Sequence, residues 1–276
     1  MSGRIAFQGE LGAYSHQACR QARPAMEAVP CATFEEVIAA TKSGAVDLGM
    51  LAVENSTYGR VADVHRLLPH SGLHIVDEAF VRVHINLLAV KGTELAQVRR
   101  VRCMSILLGQ CGTFLKDHNL ATLNWTDNAA AARDVAGLGD PAEAALASEL
   151  AGEIYGLDVL ARQIEDQSNN TTRFLVMARE PDLSRRSDRM MTTFIFRVRN
   201  IPAALYKAMG GFATNGVNMT KLESYMVGGS FTATEFYADI EGHPEDANVM
   251  RAMEELRYFT SEMEILGVYP ADRPRG

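Results

Sequence analysis

The chain has 276 residues, 47% of them apolar and 22% charged, a balance typical of a globular protein with enough length for two domains. Its formal charge of -7 and the lack of a long basic run argue against nucleic acid as a partner. No apolar run reaches the roughly 20 residues of a membrane-spanning helix, and the first residues lack the apolar core of a signal peptide, so we expect a cytoplasmic protein without a membrane partner.

The cysteines and histidines do not form a disulfide or metal-binding pattern. The four cysteines have no Cys-x-x-Cys spacing, and the seven histidines form no His-Glu-x-x-His or His-x-His cluster. We therefore expect reduced thiols and no metal. An anionic ligand would need local donors, because the net charge of the chain is negative.

The first part of the chain alternates between predicted strands and helices. Residues 4–8 read as a buried strand, and a turn over 9–12 leads to a helix from Ser15. Thr33-Phe34-Glu35-Glu36 fits a capping box at the start of a helix that ends near Gly44. Further predicted strands lie at 48–53, within 73–90 and at 174–177, and further predicted helices lie at 107–118, 128–138 and 148–155. This order indicates an α/β fold.

A charged, proline-containing segment at 179–189 is typical of a linker, so we place a domain boundary near 180–190. Beyond it the predicted order is βαββαβ. The strands lie at 192–198, 217–225, 231–240 and 262–269, the helices at 203–215 and 246–259, and a Gly228-Gly229 turn joins the middle strands. This order is typical of a ferredoxin-like fold, with both helices on one face of an antiparallel sheet.

Two polar segments of the first domain lie at predicted strand ends, where ligand sites of α/β sheets gather. In Gly9–Ser15 the glycines would let backbone N–H groups approach an anion while Ser15 adds a hydroxyl, but for the segment taken alone we favour a tight turn with a helix cap. Glu54, Asn55 and Ser56 bring a carboxylate, an amide and a hydroxyl together. Alternatively, Asn55 and Ser56 only shape a turn or cap a helix near Val61, with Glu54 in solvent.

A third polar segment, residues 167–172, leads into an apolar strand. If this strand is regular from Thr172, then Thr172 and Phe174 face one side and Arg173 faces the other. Arg173 would then either bind an anion or form a salt bridge between two segments.

Taken together, Gly9–Ser15, Glu54–Ser56 and Thr172–Phe174 resemble the Gly-x-x-Gly-x-x-Ser, Glu-Asn-Ser and Thr-Arg-Phe motifs of the prephenate dehydratase family, in the same order. The resemblance extends through 127–132 and 155–157, and the βαββαβ segment resembles the ACT regulatory domain that follows the catalytic domain in this family.

The resemblance implies a catalytic domain over 1–180 and an ACT regulatory domain over 191–270. The catalytic domain would have the two-lobed, periplasmic-binding-protein-like α/β fold of type II, with the site in the cleft. Lobe 1 would contain about 1–75 and 166–180, and lobe 2 about 76–165.

The implied reaction is the decarboxylative dehydration of prephenate to phenylpyruvate in phenylalanine biosynthesis, by a carbon–oxygen lyase that needs no cofactor. Thr172 would donate a hydrogen bond to the leaving hydroxyl, because an aliphatic hydroxyl is too weak an acid to ionise near neutral pH. Asn55 and Gln110 are the other expected catalytic residues. The expected substrate-binding residues are Ser15, Glu54, Ser56, Cys103, Thr171, Arg173 and Phe174.

One loop departs from the family pattern. Cys103-Met104-Ser105-Ile106 stands where relatives have Ser-His-Pro-Gln, although Gln110 and Cys111 are kept. Cysteine is a weaker donor than serine, so we expect altered substrate affinity, with loss of activity as the alternative. Because of this departure, a non-catalytic small-molecule sensor is one alternative function. An arogenate dehydratase, which acts on the amino analogue of prephenate, is another.

The ACT resemblance also implies feedback inhibition by phenylalanine bound between two subunits, and hence a homodimer or homotetramer. The expected effector-binding residues are Ala203, Ala204, Leu205, Asn215, Asn218, Glu223 and Ser224. Here Ala203 replaces the family's glycine, and Tyr225-Met226 replace Arg-Pro. The extra methyl group would crowd the effector, so another amino acid is the alternative ligand.

Overall fold

The computed structural model describes residues 3–199, 201–226 and 233–273, except the side chains of 233 and 234. The chain divides into two compact units, each made of two segments. Unit 1 contains Met1–His65 and Ala79–Phe174, and unit 2 contains Arg66–Glu78 and Leu175–Gly276. The domain limits expected from the sequence, at 180 and 191, stay predictions. The two compact units do not test which segments of the chain fold independently.

Unit 1 begins with a parallel sheet flanked by helices. Its elements are β1 (Arg4–Gln8), α1 (Tyr14–Ala22), β2 (Glu27–Cys31), α2 (Phe34–Ser43), β3 (Leu48–Asn55), β4 (Gly59–Arg60) and α3 (Ala62–Leu67). Strand β1 pairs in parallel with β2 and β3, which confirms the strands predicted at 4–8 and 48–53. Strand β2, which contains Pro30, is absent from the sequence prediction. A proline is tolerated there because β2 is the outer strand of the sheet.

Helix α2 has the ends that its sequence predicts. The Thr33 side chain accepts a hydrogen bond from the backbone N–H of Glu36 at 3.2 Å. Gly44 follows the last turn with φ of +79°, in the left-handed conformation that ends helices. Glu36 accepts from the N–H of Ala32 and so strengthens the same end of the helix.

The second lobe of unit 1 forms around a separate five-stranded sheet. The chain enters it after β5 (His74–Arg82) and continues through β6 (Asn86–Ala89), β7 (Arg100–Cys103), α4 (Ser105–Gln110), α5 (Gly112–Asp117), β8 (Ala121–Asn124), α6 (Asn128–Leu138), β9 (Glu143–Ala147), α7 (Glu149–Tyr155) and β10 (Asp158–Ala161). The strand order is β10, β6, β9, β7, β8. The chain then returns through β11 (Thr171–Ala178).

The single helix predicted over 107–118 is wrong, because the chain forms two short helices that break at Cys111. Cys111 leaves the helical conformation, with φ of -123° and ψ of 23°. The break is stabilised from outside: the N–H of Asp166 donates to the carbonyl of Gln110, and the Asp166 carboxylate accepts from the N–H of Thr113. The helix predicted at 128–138 is confirmed.

Unit 2 has the βαββαβ order that the sequence predicts. Its elements are β12 (Met190–Val198), α8 (Ala204–Thr214), β13 (Met219–Met226), β14 (Ala233–Glu241), α9 (Ala247–Phe259) and β15 (Thr260–Pro270). The antiparallel order is β13, β14, β12, β15, and stacked phenylalanines such as Phe194 and Phe212 lie in the core beneath the helices. The Gly228-Gly229 turn and the start of the strand after it lie outside the described residues. Among the described residues, no helix is long and apolar enough to cross a membrane.

Candidate active site

The centre of the site is a hydrogen-bonded group at the end of β3 and the start of β11. Asn55 Nδ2 donates to Asn170 Oδ1 at 2.7 Å and to Thr172 Oγ1 at 3.0 Å. Asn55 Oδ1 accepts from the backbone N–H groups of Thr57 and Tyr58 at 2.9 and 3.0 Å. Because a backbone N–H can only donate, these two bonds determine which end of the Asn55 amide is oxygen.

This orientation determines what Thr172 can do. Its oxygen already accepts from Asn55, and Thr172 makes no other side-chain hydrogen bond to the described residues. A hydroxyl that accepts one bond can still donate one. The Thr172 proton is therefore available to a ligand.

Ser56 and Thr171 join the same two strands. The Ser56 hydroxyl donates to the carbonyl of Asn169 at 2.6 Å and accepts from the N–H of Thr171 at 2.9 Å. The N–H of Ser56 also donates to the carbonyl of Thr171. Ser56 therefore shapes the start of β11, and its hydroxyl proton is already used.

Arg173 forms a salt bridge, one of the two alternatives that the sequence left open. Its Nη1 lies 2.8 Å from Glu54 Oε1, and the Arg173 side chain is only 3% exposed. Glu54 is thus paired and does not simply lie in solvent. Phe174 is fully buried. Both Arg173 and Phe174 support β11 from within the protein.

A cavity of about 340 Å³ lies beside this group, between the two lobes of unit 1. It is lined by Thr57, Tyr58, Gly109, Gln110, Glu165, Asp166, Gln167 and Asn170. Gln110 is 8% exposed, and its Oε1 is buried without a hydrogen-bond partner among the described residues. The Thr57 hydroxyl oxygen has the same property. Buried polar atoms without partners cost free energy, so they favour a polar ligand in this cavity.

Glu165 organises a charged group that sequence analysis missed. Its side chain is 4% exposed and accepts from the N–H of Ile85 at 2.9 Å. His84 Nδ1 lies 3.2 Å from Glu165 Oε1, and Arg82 Nη2 lies 3.7 Å from the same oxygen. These contacts join residues about 80 positions apart in the chain, so no local sequence signal could have found them.

Two tyrosines bridge the lobes near the cavity. The Tyr58 hydroxyl donates to the carbonyl of Ile106 at 2.9 Å, and the Tyr14 hydroxyl donates to the carbonyl of His84 at 2.8 Å. Burial, together with the nearby negative charge of Glu165, raises the pKa of Tyr14 well above its usual range. Tyr14 therefore stays a neutral donor, and both tyrosines help to hold the cleft in its present shape.

The two glycines of the turn after β1 do not offer their N–H groups to a ligand. The N–H of Gly9 donates to the carbonyl of Cys31 at 2.9 Å, and the N–H of Gly12 donates to His16 Nδ1 at 3.0 Å. A Cβ on Gly12 would lie 2.7 Å from Ala151 Cα, so glycine is needed for close contact with α7. Ser15 lies within the first turn of α1, and Ala13, not Ser15, precedes the helix. The tight-turn alternative agrees with these contacts.

Cys103 is not at the cavity, which corrects the expected ligand contact. Its side chain has no exposed surface and belongs to the apolar core of the second lobe. Burial raises the pKa of the Cys103 thiol to about 12. The residue therefore fills space in the core as a neutral thiol, and we leave it out of the proposed site.

The expected effector residues lie in unit 2 and begin at the start of α8. Ala203 precedes the helix with φ of +61°, in the left-handed region that favours glycine. Ala204 is buried behind it, and Leu205 packs against the core. Ala203 thus adopts a backbone conformation that is strained for a residue with a Cβ.

The polar members of this set make contacts within unit 2. Asn215 Nδ2 donates to Glu255 Oε1 at 2.9 Å, which joins the end of α8 to α9. Asn218 Nδ2 donates to Glu241 Oε2 at 3.1 Å. Glu223 lies on β13, 3.4 Å from the ammonium group of Lys221, and Ser224 pairs in the strand with Phe236.

The chain is similar to several proteins over nearly its whole length. Residues 5–182 match the family model described as prephenate dehydratase. The chain is 50% identical to the bifunctional N-acyl-homoserine lactone acylase/prephenate dehydratase of Komagataeibacter europaeus, over 97% of this chain and 95% of that protein. It is 36% identical to arogenate dehydratase/prephenate dehydratase 1, chloroplastic, of Arabidopsis thaliana, over 99% of this chain and 73% of that protein.

Solved structures agree with this result. The prephenate dehydratase of Arthrobacter aurescens in complex with L-Phe is 28% identical and has a TM-score of 0.89, over 97% of this chain and 90% of that chain. A structure described as a novel type of quorum-quenching acylase is 50% identical and has a TM-score of 0.92, over 97% of this chain and 98% of that chain. These likenesses confirm the predicted α/β fold class. Because the family model matches more than half of the chain, the chain belongs to the prephenate dehydratase family.

Proposed function

We propose that this protein is a prephenate dehydratase, a carbon–oxygen lyase that converts prephenate to phenylpyruvate in phenylalanine biosynthesis. One observation carries the proposal for the site: Asn55 occupies the oxygen of Thr172 and leaves the hydroxyl proton free. Asn55 also bonds to Asn170, which lines the cavity. Thr172 is thus linked through Asn55 to a residue of the polar cavity lining, which supports its proposed role as donor.

The reaction needs help mainly at the leaving hydroxyl. When the ring carboxylate leaves as carbon dioxide, the electrons of its C–C bond form a new ring double bond, and the C4–O bond breaks. Thr172 would donate a hydrogen bond to the departing oxygen, where negative charge develops. Asn55 would position Thr172 for this bond. Gln110 would hydrogen-bond substrate in the cavity, where its amide oxygen has no partner among the described residues.

Incubation of the purified protein with prephenate tests this proposal, with ultraviolet absorbance reporting phenylpyruvate. We expect turnover by the wild type and a decrease in kcat of about 10²–10³-fold for Thr172→Ala, the cost of losing one donor to developing charge. Thr122→Ala, at an exposed position of β8, is the matched control and should keep wild-type activity. No product from the wild type would contradict the dehydratase function. An active Thr172→Ala variant would contradict only the role of Thr172.

The alternative substrate is arogenate, since relatives in Arabidopsis carry both names. Parallel kinetics with prephenate and arogenate separate these substrates by their kcat/KM values. Binding of either compound without turnover would instead identify the non-catalytic sensor.

We propose N-acyl-homoserine lactone acylase activity as a second candidate function, favoured by His84 and Glu165. Because the Glu165 carboxylate lies at His84 Nδ1, this nitrogen carries a proton and donates to the carboxylate. His84 Nε2 has no partner among the described residues. A histidine in this state can accept a proton from water. Water would add to the amide carbonyl, the C–N bond would break, and the proton would pass to the leaving amine. The exposed Ile106 offers an apolar contact for the acyl chain.

The second activity is measured by release of free homoserine lactone from an N-acyl-homoserine lactone. We expect His84→Gln to lose this activity while it keeps dehydratase turnover. His118→Gln, at an exposed position in the same lobe, is the control. No release of homoserine lactone by the wild type would reject this candidate.

For unit 2 we propose that it is an ACT regulatory domain, over 191–270, that binds phenylalanine as a feedback inhibitor. The complex of the Arthrobacter aurescens enzyme with L-Phe supports this proposal. Ala203, Ala204, Leu205, Asn215, Asn218, Glu223 and Ser224 are the proposed contacts. A titration that shows no phenylalanine-dependent change at millimolar ligand would contradict it. The cytoplasmic location and the homodimeric or homotetrameric state also stay proposals.

A further inference from the structure

The side chain of Asn170 has a determined orientation although its oxygen and nitrogen are similar in shape. Backbone N–H groups occupy Asn55 Oδ1, so the group of Asn55 that faces Asn170 must be its Nδ2 donor. Asn170 therefore presents its oxygen to Asn55, at 2.7 Å. Its Nδ2, with two N–H groups, points away from Asn55 and makes no hydrogen bond to the described residues.

Asn170 is also held rigidly. The residue is 2% exposed. Its backbone carbonyl accepts from the N–H of Val83 at 2.9 Å and from Arg82 Nη1 at 2.6 Å. Both partners lie where the chain passes from β5 into the second lobe. A donor fixed in this way loses little conformational entropy when it binds a ligand.

The cavity needs such a donor. Asn170 lines it together with Gln110 and Thr57, each of which has a buried oxygen without a partner among the described residues. Glu165 and Asp166 also lie in the lining, so donors must offset their negative charge if an anion is to bind.

We propose that Asn170 binds a carboxylate oxygen of the substrate through Nδ2 while its Oδ1 holds Asn55, and through Asn55, Thr172. The inference rests on the proposed dehydratase function and adds a residue with two roles. Binding of the substrate carboxylate and orientation of the leaving-group donor would then depend on a single amide. In this arrangement Asn170 is a binding residue for the substrate and a positioning residue for Thr172.

Two substitutions separate the two roles. Asn170→Asp keeps an acceptor for Asn55 but replaces the donor with a carboxylate, so KM for prephenate should rise about 10- to 100-fold while kcat stays within about 3-fold. Asn170→Ala removes both groups, so kcat should fall as well. Asn169→Asp makes the same charge change at the preceding residue, which is exposed, and should leave KM and kcat unchanged.

Binding without turnover is measured by calorimetric titration of prephenate into the Thr172→Ala background. We expect Asn170→Asp to weaken binding at least 10-fold there, and Asn169→Asp to have no effect. An Asn170→Asp variant with unchanged KM and unchanged binding would overturn the proposal. Equal loss of kcat in Asn170→Asp and Asn170→Ala would overturn the positioning role. If the wild type shows no dehydratase turnover, the result contradicts the proposed function itself and not only the role of Asn170.

Discussion

Asn55 donates a hydrogen bond to the hydroxyl oxygen of Thr172 at 3.0 Å, across 117 positions of sequence. The bond has a direction: Asn55 is the donor, so the threonine proton is left for another acceptor. The direction follows from two backbone N–H groups that occupy the other end of the Asn55 amide.

Asn55→Asp tests this direction with little change of shape. An ionised carboxylate can only accept, so the Thr172 proton would turn towards residue 55 and away from the substrate. We expect kcat for the dehydratase reaction to fall about 10²–10³-fold. The far-ultraviolet circular dichroism spectrum should be like that of the wild type, because the fold is kept. The exposed Asn169→Asp variant serves as the charge-matched control. A kcat within 3-fold of the wild type would show that the direction of the bond does not matter.

The partly buried salt bridge between Glu54 and Arg173 should contribute to stability. Glu54→Gln removes the carboxylate charge beside a guanidinium that is 3% exposed. Because the Glu54 side chain is 28% exposed, solvent screens part of the loss, and we expect the free energy of unfolding to fall by about 1–3 kcal/mol. Urea denaturation measures it. Glu153→Gln, at an exposed position of the same unit, should change stability by less than about 0.5 kcal/mol.

His16 should make stability depend on pH in the acid range. Burial, and to a lesser extent the charge of Arg20, lowers the pKa of His16 below 6.5. Its Nδ1 accepts from the N–H of Gly12, so protonation would break that bond. Between the lowered pKa and 6.5 the unfolded state binds more protons, so stability is present above 6.5 and is lost as the pH falls.

The comparison of unfolding free energies at pH 7.5 and pH 5 measures this dependence. In His16→Asn, whose side-chain oxygen can accept from Gly12 without titrating, the loss of stability on acidification should be smaller than in the wild type. Equal losses in the two proteins would assign the acid sensitivity to other groups.

Ala203 should be a strained residue whose replacement stabilises the protein. An alanine at φ of +61° places its Cβ too close to neighbouring backbone, whereas glycine does not. We expect Ala203→Gly to raise the free energy of unfolding by about 1 kcal/mol. Ala213→Gly, at an exposed position in the last turn of α8, should lower it by less than about 1 kcal/mol, because glycine weakens a helix. A decrease for both variants would contradict the assigned strain.

Several local elements could be predicted because their causes lie within a few residues. Helix α2 has its capping residue and its terminal glycine within its own sequence, and both act as expected. The longer strands β1, β3 and β12 show enough apolar residues to be found. Strands of four residues such as β7 and β8 do not, because so short a segment has no clear period.

The sequence by itself determined the α/β order, the βαββαβ segment and the motifs that resemble prephenate dehydratases. Only the tertiary structure decided that Arg173 pairs with Glu54, that Cys103 is buried in the second lobe, and that Glu165 collects Arg82 and His84. The reason is that propensity and periodicity act over a few neighbouring residues. Hydrogen bonds and salt bridges between distant segments depend instead on how the sheets and lobes pack, and this packing is what gives Thr172 its oriented hydroxyl.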